Sequence, residues 1–376
     1  MSRELRLRAR ILLIGPRPRP GEPIGGTQVS FSELCESFER SGSFELDIVD
    51  TTRSNTYSRG WRRAVSNAFG LARVLNAVLR RGPLADVVMF NASSNGVTDA
   101  GPWLERVCRW IGKPLVVRVF GGALDLTLDR AAPRRRERLL EVLRSASLVL
   151  LQTDHLCARF AGCGEVRKLP TTRRSTPPAR QLSPQCRRFA FVAQLRPEKG
   201  YEEALRAIEL CPPNCTLDLY GPSMPSTDLM RLRSHPRAVY HGALAHEHVA
   251  RVLSEHDALL FPSYYEGEGL PGVVVEAMQC GLPVIAANWR ALPELVQHER
   301  NGLLVTPKSS HSLAAAMNRL AGDDALFSEL CVGALERGRE LDASSWQRRL
   351  EGWLLESCGH ATPPANVPQP HREVSP

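Results

Sequence analysis

The chain has 376 residues, 43% hydrophobic and 23% charged, with a formal net charge of +8. That length buries a large core and favours two domains over one, and no apolar run approaches the ~18 residues a membrane span needs. The charge is uneven: residues 1–185 hold 30 Lys/Arg against 17 Asp/Glu, a balance of +13, and the remainder holds 18 against 23, a balance of −5. A basic first half suits an anionic surface or substrate. Nucleic acid is set aside as a partner, because no recognised nucleic-acid motif is present and aromatics make up only 6% of the chain, too few for stacking platforms.

The opening residues are basic and then apolar, but Gly15, Pro16 and the following RPRPGEP make a poor cleavage region, so residues 9–14 are expected to form a core strand rather than a signal peptide. Ten scattered cysteines read as buried free thiols, not a disulfide framework. Cys211 and Cys215 lack a second ligand pair at metal-site spacing. The expected address is cytoplasmic.

After the first strand, a long loop ends on Gly25, Gly26 and Thr27, and a helix is predicted from about residue 28 to 40. Paired glycines at a helix N-terminus admit a ligand close to the backbone, although the spacing is not the dinucleotide fingerprint G-x-G-x-x-G; tight-turn chemistry explains the pair equally well. A strand at 44–49 leads to a basic helix at 59–81, whose arginines suit either anionic headgroups or an ordinary solvated face. Strands at 87–91, 115–120 and 148–152 alternate with helices around 102–110 and ending at 139–143. Such alternation implies a parallel sheet with ligands beyond the carboxyl ends of its strands, where Thr27, Gly121 and Gly122 fall.

The Pro- and Ser-rich segment 175–184 reads as an interdomain linker. Alternation then restarts: strands at 188–193, 216–220, 239–241, 258–262, 283–286 and 302–305, with helices at 201–209, 227–234, 246–254, 273–280 and 293–297. Further helices follow at 313–320, 326–339 and 346–355, and the tail 361–376 is too polar and proline-rich to pack. The expected organisation is a first domain over 1–183, a second over 184–343, a helix at about 344–358 returning to the first, and the tail.

Two loops of the second half carry chemistry. Arg196 and Lys199, three positions apart at the end of a strand, form a candidate diphosphate clamp; a solvated charged turn is the plain alternative. Glu268 and Glu276, eight positions apart, flank Gly269, Leu270, Pro271 and Gly272, so one turn and helix aims two acceptor-rich carboxylates beside helix N-terminal amides. That combination suits a sugar joined to a phosphate. Its alternative is a surface loop with two solvated glutamates.

Taken together, GGTQ, LRPEKG, YGP and SYYEGEGLPGVVVEAMQCGLPVIA resemble the retaining glycosyltransferases of family 4, and the resemblance covers nearly the whole chain. It implies a GT-B fold: α/β, two Rossmann-like parallel-sheet domains facing across a cleft. By the resemblance, Arg196 and Lys199 hold the donor diphosphate, Glu276 accepts from the ribose hydroxyls, and Glu268 with residues 269–271 holds the transferred sugar. The base lies near Tyr220, Gly221 and residues 241–244, and Gly25 and Gly26 close over the donor. The acceptor side is Phe120, Gly121 and Gly122. The implied reaction moves a sugar from a nucleoside-diphosphate sugar to a glycan or lipid-linked acceptor, with retention, in polysaccharide or glycolipid biosynthesis.

No D-x-D metal motif is present, so a metal-independent reaction without cofactor is expected, with Arg196, Lys199 and helix amides meeting the leaving-group charge. Many relatives carry a histidine where this chain has Phe120, which suggests a donor lacking a 6-hydroxyl. Peripheral attachment to an anionic membrane face is a further expectation. The competing readings are another GT-B nucleotide-sugar enzyme, such as a 2-epimerase or an inverting transferase, and a non-catalytic glycan-binding subunit.

Overall fold

The computed structural model describes residues 8–18, 25–52, 61–174, 184–225 and 227–359, with backbone alone at 61–64. The expected linker, save its last residue, and the expected tail lie outside the described residues, as does Arg59 of the basic helix. The described chain forms two six-stranded sheets, each wholly parallel. In the first, β1 (Ala9–Gly15), β2 (Phe44–Asp50), β3 (Val87–Ser93), β4 (Leu115–Phe120), β5 (Leu148–Leu151) and β6 (Val166–Lys168) lie in the order β2-β1-β3-β4-β5-β6. In the second, β7 (Arg188–Val192), β8 (Thr216–Tyr220), β9 (Ala238–Tyr240), β10 (Ala258–Phe261), β11 (Val284–Ala287) and β12 (Gly302–Val305) lie in the order β12-β11-β10-β7-β8-β9.

Six helices accompany the first sheet: α1 (Gly26–Ser41), α2 (Trp61–Arg81), α3 (Ser94–Trp110), α4 (Leu124–Asp129), α5 (Pro133–Ser145) and α6 (Asp154–Phe160). The second has α7 (Tyr201–Glu209), α8 (Leu229–Arg233), α9 (His246–Ser254), α10 (Gly272–Gln279), α11 (Leu292–Leu295), α12 (Ser310–Gly322) and α13 (Asp324–Glu340). A last helix, α14 (Ala343–Ser357), buries Leu350 and Leu354 against the first sheet.

Alternation along the strands explains the layers. Leu12 and Ile14 of β1 pack with Val74 and Val78 of α2 and Leu104 of α3, whereas Ile11 and Leu13 pack with Phe31 and Phe38 of α1 and Leu354 of α14. Helices thus cover both faces, so strands such as β4, LVVRVF, are buried along their whole length and read as apolar runs. The two halves also touch directly where the chain crosses between them: Arg173 N donates to the Leu341 carbonyl (3.4 Å) and Ala343 N to the Arg173 carbonyl (3.2 Å).

Four elements differ from the sequence expectation. Helix α3 begins at Ser94, not near residue 102, because the Ser93 hydroxyl caps Gly96 N (3.3 Å) and Gly101 closes onto Val142. Pro102 is carried inside it at the cost of one helical hydrogen bond. Helices α4 and α6 were not anticipated; α6 is set by Thr153, whose hydroxyl accepts from Leu156 N (3.1 Å), a local cap of the kind Thr supplies. The short edge strand β6 was also not anticipated.

Candidate active site

In the second sheet β7 lies between β10 and β8, so the chain leaves β7 and β10 in opposite directions and opens a crevice beyond their carboxyl ends, where open α/β sheets bind ligands. Two loops enter it, 193–200 after β7 and 262–271 after β10. Gly200, at φ 80°, brings them together: a Cβ there would lie 2.6 Å from the Pro262 carbonyl oxygen, so only glycine fits. The Glu198 carbonyl accepts from Tyr264 N at 2.9 Å.

That contact delivers Lys199 to Glu268. Lys199 Nζ donates to Glu268 Oε2 at 2.6 Å, and Ser263 Oγ donates to the same oxygen at 2.5 Å. Glu268 is buried, and the Lys199 ammonium lies 5.0 Å from the Tyr265 ring centroid. Arg196 pairs with Glu198 and lies 5.4 Å from the same ring. Glu198 sits below the usual carboxylate range, held there by a backbone amide hydrogen bond and by Arg196. Glu266, two positions before Glu268, is exposed and instead pairs with Arg130 across the cleft at 2.8 Å.

Helix α10 follows Pro271, with Gly269 and buried Leu270 just before it. Its Glu276 is buried and accepts from Arg173 Nε at 2.7 Å. Arg173 is itself 4% exposed and donates Nη1 to Ser30 Oγ (3.2 Å), Glu33 Oε2 (3.0 Å) and the Thr172 carbonyl (3.0 Å). One guanidinium therefore ties α10 of the second sheet to α1 of the first. His246 stands beside it, 3.6 Å from Glu33 and 3.8 Å from Glu276. Its pKa is raised, chiefly by the hydrogen bond to Glu33 and then by the Glu276 charge, against burial and Arg173.

At the end of β8, Tyr220 stacks on His241 with centroids 4.5 Å apart and planes 9° from parallel. Asp218 accepts from His256 (3.2 Å) and His241 (2.5 Å), and these bonds hold its carboxyl below the usual range. Gly221 donates its amide to the Gly242 carbonyl at 2.7 Å, which fixes this aromatic platform at the same sheet edge.

The facing wall comes from the first half. Gly26 opens α1, and a Cβ there would meet nothing within 4 Å; at Gly25 it would meet only Gln28. Gly121 donates its amide to Gln152 Oε1 (2.7 Å), and Gly122 donates to the Gly267 carbonyl (3.2 Å). A Cβ on Gly122 would fall 2.0 Å from the Glu268 carbonyl oxygen, so the two walls meet backbone to backbone. Arg290 strengthens the contact, donating to Asp125 Oδ1 at 2.7 Å and to the Gly122 carbonyl. Burial raises the Asp125 pKa, but hydrogen bonds from Arg290 and His155 leave it below the ordinary value. Glu294 accepts from the first amides of α6, Asp154 N (2.6 Å) and His155 N (3.0 Å).

Phe120 does not join this wall, contrary to the sequence expectation. It shares the face of β4 that carries Val116 and packs in the core with α1 and α14, 4% exposed and with the Arg118 guanidinium 4.7 Å from its ring centroid. Strand alternation turns it inward, so the suggestion of a donor lacking a 6-hydroxyl loses its footing. The structure brings Arg196, Lys199, Glu268, Gly269 and Glu276 to one sheet edge, opposite Gly121 and Gly122. Arg173, His246, Ser263, Gln152 and Arg290 join them without having been anticipated. Arg173 had no local signal; its partners lie 103 and 140 positions away. Among the described residues no group of three or more His, Cys, Asp or Glu is placed to hold a metal ion.

Two parallel sheets facing across a cleft, each presenting its strands' carboxyl ends, define the GT-B fold. Solved structures share it: sucrose-phosphate synthase from Thermosynechococcus elongatus superposes with a TM-score of 0.74 at 20% identity, over 93% of this chain and 98% of that one. HepE from Anabaena in complex with UDP and glucose superposes with a TM-score of 0.69 at 18% identity, over 93% and 100%. In sequence, residues 186–323 match the family model described as glycosyl transferases group 1, a span that contains both charged loops. A D-inositol 3-phosphate glycosyltransferase of Mycobacteroides abscessus is 31% identical over 189 residues, 48% of this chain and 41% of the relative. An MMP alpha-(1->4)-mannosyltransferase of Mycolicibacterium hassiacum is 31% identical over 157 residues, 42% and 35%. The chain spans less than half the length of these curated relatives.

Proposed function

We propose that the protein is a glycosyltransferase that moves a sugar from a nucleoside-diphosphate sugar to a glycan or lipid-linked acceptor, with retention at the anomeric carbon and without a metal. The observation that carries this reading is the half-engaged state of both glutamates. Among the described residues, Lys199 and Ser263 both bond to Oε2 of Glu268, and Arg173 bonds to Oε1 of Glu276. Each carboxylate is fixed through one oxygen and presents the other, Glu268 toward a sugar hydroxyl and Glu276 toward the ribose.

Lys199 spends one N–H on Glu268 and keeps two for a diphosphate. Arg196 and the free amides of α10 complete a cationic cradle for the leaving group. Because these groups are already oriented, negative charge developing on the departing diphosphate is met without reorganisation. The released phosphate oxygen takes the acceptor proton on the same face of the sugar, as the family resemblance implies. Neutral Gly121 and Gly122 let that face close against Gly267 and Gly269.

The acceptor assignment rests on the first half. Phe69 (74% exposed), Trp110 (79%) and Trp103 (49%) stand on α2 and α3, beside arginines of the same helices. Aromatic and basic side chains presented together suit an anionic lipid surface. The test is a panel of nucleotide sugars with and without glycan and lipid-linked acceptors, with a chelator arm. Release of nucleoside diphosphate only with acceptor, undiminished by chelator, supports transfer. Release without any acceptor favours an epimerase or hydrolase, and silence across the panel favours a binding subunit.

A further inference from the structure

Behind the cleft, where the chain crosses between the two halves, α1, β4 and α14 line a small, partly open pocket of about 30 Å³. Arg118 lines it with Ser30, Glu33, Ser37, Thr172 and Gln347. Its volume is roughly twice what a single water requires and far below that of a nucleotide. It adjoins both crossings, since Thr172 precedes Arg173 and Ala343 also lines it.

Arg118 is out of place in an ordinary core. It projects from the middle of an apolar strand and is 5% exposed. Among the described residues its Nε and Nη1 have no hydrogen-bond partner, and its guanidinium lies 4.7 Å from the centroid of the Phe120 ring. The nearest acid, Glu33, is already engaged by Arg173, and Glu276 is engaged by the same residue. Arg118 thus lies beside a second buried cation with no carboxylate of its own. Burial and the Arg173 charge push its pKa down to about 10. The charges of Arg118 and Arg173 are matched by Glu33 and Glu276, but buried N–H groups left without a hydrogen-bond partner are costly.

We propose that this pocket binds a small inorganic anion, of halide or oxyanion type, between Arg118 and the hydroxyl and amide groups of the α1 and α14 walls. The anion accepts from the guanidinium N–H groups that the fold leaves unbonded and fastens the two chain crossings to the first sheet. Because Ser30 and Glu33 of the pocket wall also hold Arg173, its occupancy is coupled to the guanidinium that orients Glu276. The site is separate from the sugar-transfer reading and stands or falls without it.

The experiment follows thermal unfolding of the full chain in chloride, bromide or phosphate, with ionic strength held constant by gluconate, which is too bulky to enter. A saturable rise in Tm of several degrees with one of the small anions is expected. Arg118→Gln should abolish that dependence, and Ser37→Val, which fills the pocket and keeps every charge, should weaken it. Crystals of the unmodified protein in bromide should show anomalous density beside Arg118, which decides the matter should either variant fail to fold. Equal Tm in all salts, equal anion dependence in the wild type and in a folded Arg118→Gln, or a pocket empty of anion in crystals grown in bromide and in crystals grown in phosphate would overturn the proposal.

Discussion

On the second-sheet side of the cleft each charge is held by another and each close approach is set by a glycine, whereas on the first-sheet side the surface is mostly bare backbone. Lys199 is locked to Glu268, Arg196 to Glu198 and Glu276 to Arg173. Gly26 faces open space, a Cβ at Gly25 would meet only Gln28, and Gly121 and Gly122 offer peptide groups alone. The difference fits a division of labour. Stabilising a departing diphosphate needs oriented charge before the reaction begins, while an acceptor wall made of backbone leaves specificity to the surrounding loops. Arg173 ties α10 to α1 through buried ion pairs, alongside the Arg290–Asp125 and Arg130–Glu266 pairs, which makes the geometry of the second-sheet wall depend on α1.

That dependence gives the largest expected effect. Arg173→Met strands two carboxylates, Glu276 and Glu33, and should cost about 3–5 kcal/mol of stability in denaturant unfolding. Adding Glu276→Gln to that variant should recover part of the loss, and no recovery would mean the pair does not matter. Lys199→Ala should lower turnover by about 10²–10³-fold, the loss seen on removing one preorganised donor, together with a loss of stability because buried Glu268 keeps only Ser263 as a partner. The two glycine positions sharpen the contrast. Gly122→Ala drives a Cβ into the Glu268 carbonyl and should reduce turnover by about 10²-fold through misplacement of the walls; Gly26→Ala, with nothing within 4 Å, should change it little. Equal effects would erase the distinction between closure and open space.

The smallest effect is a pH dependence at His246, which faces Glu33, Glu276 and Arg173. Its pKa is raised on folding, so its protonated form contributes stability that is fully present below the ordinary imidazole value of about 6.5. That contribution fades as pH rises through the raised value. The Tm difference between wild type and His246→Gln should therefore shrink on going from acid to alkaline conditions; a constant difference would assign His246 a packing role only.

Sequence carried the parts of this site that are local. Arg196 and Lys199 share one loop with Gly200, and Glu268 and Glu276 share one turn and helix with residues 269–272, so each pair could be picked out as a candidate from one stretch. A solvated turn and a surface loop were set aside only by taking the two loops together with the family resemblance. Strands such as β8 and β12 and helices α7 and α9 were legible because each is a short apolar or amphipathic run between turn residues. What escaped was set by tertiary contact. Arg173 sits just before the Pro- and Ser-rich stretch and acquires its role from partners on α1 and α10. Phe120 was read as a wall because it stands where the resembling family carries a histidine, but the two-residue period of β4 assigns it to the core. Helix α3 was shortened by Ser-Ser-Asn-Gly and Pro102, whose turn propensity is overridden by a cap at Ser93 and packing at Gly101.

The central claim is that the two charged loops form a nucleoside-diphosphate site held ready by Lys199, Glu268 and Glu276. Calorimetric titration of a panel of nucleoside diphosphates into the wild type, Lys199→Ala and Glu276→Ala tests it directly. At least one nucleoside diphosphate should bind the wild type, with the corresponding free nucleoside much weaker, and both variants should lose at least tenfold in affinity, about 1.4 kcal/mol. Undiminished binding in both variants, or no binding by any member of the panel, would contradict it.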